Sequence, residues 1–151
     1  MIVQVKCKSA SQIIRDHGLD RNGDVQRYWT NIVNQRLSRY MPYRSGALSS
    51  KLKYVSGPAE ITVAAPYARY QYYGKVMIDP KINAAGFLTK DGTWRSRKGA
   101  VKVLTDRPLD YDTTKNERAG PFWDRRLMAA EKDAMIREIK EYVRRREALR
   151  K

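Results

Sequence analysis

Few side chains in this 151-residue chain could do covalent or acid–base chemistry. His17 is its one histidine and Cys7 its one cysteine. A Ser-His-Asp or Cys-His arrangement needs that imidazole as base, but His17 sits just before Gly18 at the end of a short helix, where a solvated position is the plainer role. A single cysteine allows neither an internal disulfide nor a Cys-based metal site. In the alternating run Val3, Val5, Cys7 it reads as a small buried apolar residue, and the chain as one kept in a reducing compartment. Asp106, Asp110 and Asp112 come closest to a carboxylate metal set, yet Leu109 and Tyr111 flank Asp110 and a loop is the simpler reading. No glycine spacing suggests a phosphate cradle, and no two acids stand out as a general acid–base pair. The expectation is therefore no catalytic residue, no cofactor, no metal and no enzyme.

What remains is binding. The chain carries 31 Lys and Arg against 16 Asp and Glu, a net charge of +15. Such a surplus bears on partners and solubility rather than on fold, and nucleic acid, an acidic protein surface or an anionic membrane would each suit it. No apolar run approaches the roughly 20 residues of a membrane span, and Met1 to Lys6 lacks a signal-peptide apolar stretch. Basic residues interleave with Tyr and Trp in 67–75 and 94–102, a pattern able to contact phosphates and stack on bases; alternatively Tyr67, Tyr70 and Tyr73 pack at helical spacing on a sheet. Arg95, Arg97, Lys98 and Lys102 are four cations with no acid among them, in either a solvated loop or one that contacts a partner or DNA. Arg144, Arg145 and Arg146 open a basic tail, 144–151. The helix dipole accounts for part of that charge only.

These residues need elements to hold them. Val3, Val5 and Cys7 alternate with Gln4, Lys6 and Lys8 as a short strand. Ser9 to Gln12 spells a capping box, and Gly18 would close the brief helix that follows. Val25, Tyr28, Trp29, Ile32, Val33, Leu37 and Tyr40 recur at helical spacing, with Arg27, Asn34, Gln35, Arg36 and Arg39 largely opposite: one amphipathic helix ending before Pro42. Leu48, Leu52 and Tyr54 share one strand face and Ser49, Lys51 and Lys53 the other. Ile61 and Val63 return through Ser56-Gly57-Pro58 as an antiparallel hairpin, and Lys75 to Asp79 is a candidate third strand. From Pro80 to Arg118 the periodicity dissolves into an extended loop or insertion, with a hairpin around Asp91-Gly92. A loop that long is functional or orders on binding. Gly120-Pro121 starts the last helix, Pro121 in its first turn, with a buried stripe of Trp123, Leu127, Ala130, Ala134, Ile139, Tyr142 and Val143 over about seven turns. The fold class is α+β: one domain over 1–151, a small antiparallel sheet packed against two long helices, with a long basic loop.

Three motifs in order carry a family resemblance: Pro42-Tyr43-Arg44-Ser45-Gly46-Ala47-Leu48, then Ala65-Pro66-Tyr67-Ala68 with Tyr73-Gly74, then Ala119-Gly120-Pro121-Phe122-Trp123. Over roughly 22–145 the chain resembles the minor capsid proteins of tailed phages, among the neck or tail-completion proteins of the HK97 gp10-like group. The resemblance implies a virion structural protein of the head–tail junction, made in the host cytoplasm, without catalysis. It implies six- or twelve-fold rings of the chain itself, between the portal–stopper stack and the tail terminator, with packaged DNA in the channel as a further contact and no membrane. Pro42, Ser45, Gly46 and Leu48 would hold the turn, Pro66, Tyr67, Ala68, Tyr73 and Gly74 the Tyr-rich segment, and Gly120, Pro121 and Trp123 the terminal helix. Alternatives from another class are a small ribonuclease toxin that works through Lys, Arg and Tyr, with Arg69 and Tyr72 as its candidates, and a plain DNA-binding module, whose affinity would fall steeply with salt.

Overall fold

The apolar stripe beginning at Val25 folds as its spacing predicts as far as Leu37, and Tyr40 lies in the turn beyond. In the computed structural model, which describes residues 8–149 apart from 21 and 44, helix α2 spans Asp24–Leu37 and buries Val25, Ile32 and Leu37. It is preceded by α1, Ala10–Asp16, whose Ser9 and Gln12 form the expected capping box and after which Gly18 turns left-handed. The expected strand at 3–7, with Cys7, lies outside the described residues.

The next stretch departs from expectation. Residues 48–54 are not one strand: Ala47–Ser50 forms a single helical turn, α3, and β1 runs only over Lys53–Gly57. Leu48 and Leu52 are four apart, a spacing a helix satisfies as well as alternation does. The face assignment also inverts. Lys53 is buried and Tyr54 is exposed, because the Lys53 ammonium donates to the Asn34 backbone carbonyl and, at 2.9 Å, to the Asn34 side-chain oxygen. Burial alone lowers the Lys53 pKa below its ordinary value. Strand β2, Glu60–Val63, returns antiparallel with Lys53 opposite Val63.

Helix α4, Ala68–Tyr73, ends at left-handed Gly74, and β3, Lys75–Ile78, follows at once. The third strand exists, but it pairs with β6, Val103–Pro108, rather than with the hairpin. Between them β4, Phe87–Leu88, and β5, Trp94–Arg95, make the hairpin around Asp91-Gly92. The β structure is thus three two-stranded antiparallel pieces. Two strands alone are marginal, so each piece leans on helices or on its own side-chain bonds.

Helix α5, Trp123–Ala148, is the long terminal helix, but it starts two residues after Pro121. Left-handed Phe122 caps it, and the Phe122 N–H donates to the Tyr72 carbonyl at 2.8 Å. The buried stripe is Trp123, Leu127, Glu131 and Met135; Ala130 is exposed, so the stripe runs one residue further round than expected. Helices α2 and α5 pack antiparallel: Tyr28 stacks on Tyr142 with ring centroids 3.9 Å apart, while Arg36 meets Glu131 and Glu138. Trp123, Leu127 and Met135 close over Ile32, Leu37, Tyr40, Met41, Leu48 and Ala68 to form the core. The class is α+β, as expected.

Candidate assembly surface

The three sequence motifs converge. Ser50 and Ser49 donate to the Gly46 carbonyl at 2.7 and 3.2 Å, fixing the turn that sends Leu48 into the core. Pro42, Ser45, Gly46 and Leu48 then face Tyr67 and Gln71 of the second motif across a groove of about 460 Å³. The second motif meets the third at Gly74. A Cβ there would lie 3.0 Å from Pro121 and 3.2 Å from the Tyr111 hydroxyl, so glycine is needed for the approach as well as for the turn. Tyr111 donates to the Gln71 carbonyl, and burial pushes its hydroxyl pKa up to about 12.

The tyrosines divide differently from the expected trio. Tyr67 and Tyr73 are exposed, and the packed ring is Tyr72, set edge-on to Tyr73, Phe122 and Trp123 at 5.3 to 5.5 Å. Ala68 and Tyr72, four apart, are the inward pair that the three-residue spacing hid. Tyr72 donates to Asp124 at 2.8 Å; burial first, and then that carboxylate, raise its pKa. Tyr72, a candidate of the ribonuclease alternative, here helps to seat α5.

Residues 79–102 leave the body between β3 and β6 as an arm. Asp79 is 1 % exposed and accepts two bonds from the Arg97 guanidinium, at 2.9 and 3.2 Å, and one from the Lys81 N–H. The Arg97 bond holds its carboxyl below the usual range against the opposing pull of burial. Its walls are the arm's own turn, not the core. Lys102 donates to the Ala85 carbonyl at 2.6 Å and to Ser96 at 2.7 Å. So Arg97 and Lys102 stitch the arm together, while Arg95 and Lys98 point outward and make no ion pair among the described residues. The tail divides likewise: Arg146 pairs with Asp24, Arg145 donates to the Glu141 carbonyl within its own helix, and Arg144 is exposed.

Glu131 was not legible as a functional position. Its carboxylate accepts from Tyr40 at 2.7 Å, Arg36 at 2.6 Å, Arg118 at 3.2 Å and Arg39 at 3.3 Å. Burial alone would raise its pKa; the bonds from Tyr40 and Arg36 and the nearby guanidinium charges outweigh that and lower it. The cluster locks α2, α5 and the 109–121 connection together. Its one sequence signal is the i, i+4 placement of Glu131 between Leu127 and Met135. For chemistry the inventory is thin. His17 shares a bond of 2.9 Å with Glu147 at two exposed helix ends, and among the described residues no group of three His, Cys, Asp or Glu could hold a metal ion.

A family model described as "Minor capsid protein" matches residues 1–105. The chain belongs to the minor capsid protein family. No curated protein and no solved structure matches it. Membership makes it a structural component of a phage virion. The matched span holds the first two motifs, the groove between them and the hairpin of the arm, and it ends inside β6. The third motif, Glu131 and α5 lie beyond it. No helix among the described residues is long and apolar enough to cross a membrane.

Proposed function

We propose that this minor capsid protein is a neck or tail-completion subunit of the HK97 gp10-like kind, assembling in rings of six or twelve between the portal–stopper stack and the tail. The observation that carries this reading is the arm. A helical body closed by its own core holds out a segment fixed by internal bonds, yet the segment keeps Phe87, Leu88, Trp94 and Val101 in water. Apolar side chains gathered on one projecting element mark a contact surface, and a junction subunit must hold neighbours on more than one side. Ring contacts between copies are heterologous and close by rotation; the exposed faces of the body are left for them, while the arm reaches away. Reconstruction of the intact virion without imposed symmetry tests the reading. Six or twelve copies at the head–tail junction are expected; copies placed only on the shell or along the tail overturn it.

A further inference from the structure

The arm's surface states what kind of partner it fits. Leu88 and Trp94 are cross-strand neighbours on the β4–β5 hairpin, 66 % and 62 % exposed, and Val101 is 80 % exposed. Val103 and Leu104, where the arm returns, are exposed as well, on opposite faces of β6. Cations flank it. Between Lys75 and Arg107 there are eight Lys and Arg and three Asp, a net +5 by the difference. Two of those acids are already taken: Asp79 by Arg97, and Asp91 by the Thr89 and Thr93 hydroxyls. Lys81, Lys90, Arg95, Lys98 and Arg107 make no ion pair among the described residues.

Three occupants compete for such a surface. Duplex DNA would meet the cations, but most contacts to DNA are hydrogen bonds to phosphates and base edges, and Leu88, Val101 and Leu104 bring no donor or charge to either. The arm of a second copy could bury these apolar side chains, but it would bring the same local surplus of cations, and like charge across that contact works against arm-to-arm pairing. A different protein with carboxylates around an apolar groove satisfies both halves. We infer that the arm of residues 79–102 docks in an apolar groove rimmed by Asp and Glu on another virion protein. The internal bonds of Arg97 and Lys102 keep the arm in shape before docking, so little ordering remains to be done on contact. The inference rests on the chain's place in the virion, and it goes beyond the junction reading by naming the partner's chemistry.

Carbodiimide joins amines directly to carboxylates in salt-bridge contact. Intact virions treated with it and mapped by peptide mass spectrometry should show Lys90 or Lys98 joined to Asp or Glu of another virion protein. Particles bearing Leu88→Ser should lose at least about nine-tenths of those links; should they fail to assemble, the wild-type map decides alone. Links to a second copy of this chain, ultraviolet cross-links from the arm to DNA, or no link outside the chain would overturn the inference. A link to another protein, with the chain located away from the neck, would keep this inference and discard the junction reading.

Discussion

Replacing Glu131 with leucine should destabilise the protein by about 3 kcal/mol. Breaking a buried charge cluster by removing one partner costs roughly 3–5 kcal/mol, and the lower end applies here. Arg39 and Arg118 are 58 % and 59 % exposed at the side chain, so each returns to water and loses about 0–1 kcal/mol. Arg36, 22 % exposed, keeps Glu138 at 2.6 Å. The serious loss is at Tyr40, 3 % exposed, whose hydroxyl would be left without its carboxylate acceptor at roughly 1–3 kcal/mol. At about 2–4 °C per kcal/mol for a chain of this size, thermal unfolding followed by circular dichroism should move down by about 6–12 °C. Glu131→Gln keeps an acceptor for Tyr40 and should fall between. The pH dependence has a definite sign. The folded carboxyl titrates below its unfolded value of about 4.3, so its contribution is present above that value and lost as pH falls through the folded one. The gap between wild type and Glu131→Leu should therefore narrow below about pH 4, without closing, since a protonated carboxyl still accepts from Tyr40. A neutral-pH difference under about 1 kcal/mol, or a gap that does not narrow in acid, would refute the reasoning.

Other perturbations read other parts of the structure. Trp123 is 4 % exposed, yet its indole N–H has no acceptor among the described residues, so Trp123→Phe should cost no more than about 1 kcal/mol in denaturant unfolding while Trp123→Ala costs about 3–5. Gly74→Ala should lose about 2 kcal/mol or more, from left-handed strain plus the Pro121 contact, whereas Gly92, equally left-handed with nothing within 4 Å, should lose only about 1; equal losses would deny the tight Gly74–Pro121 approach. Since Arg97 holds the Asp79 carboxyl below its ordinary range, the arm should be stitched at neutral pH and loosen as pH falls below about 4. Hydrogen exchange at the Asp79 and Lys81 amides should accelerate there, and Asp79→Asn should abolish the change.

How much could be read from residues alone depends on where the determining partner sits. Helix α2 was legible because its stripe is periodic within itself, and the Ser9–Gln12 box and the Asp91-Gly92 turn are local in the same way. The 47–57 stretch was not, since a short apolar run fits helix and strand alike and Lys53 turns inward to a carbonyl of α2, 19 residues away. Strand β6 lacks alternation, and its pairing with β3 makes it a strand. At the candidate site the motif glycines and prolines were visible as punctuation, but their meeting at the groove and at Gly74 was not. Glu131 was hidden by its charge: helical spacing points it inward, and only the guanidiniums of Arg36, Arg39 and Arg118 make that tenable.

The same bonds change what the charge of the chain means. Five acids, Asp16, Asp24, Asp79, Glu131 and Glu138, are engaged in ion pairs within the chain, and Glu147 meets the His17 imidazole. Asp124, Asp91 and Asp112 accept from hydroxyls of Tyr72, Thr89 and Thr114. More than half of the 16 acids thus serve bonds within the chain that hold helices and the arm in place. With 31 Lys and Arg against those 16, the charge left to meet partners is one-sided. Self-repulsion of that kind keeps free subunits apart, and an acidic neighbour relieves it. On the docking inferred for the arm, the same surplus that opposes association between free copies favours contact with that acidic partner.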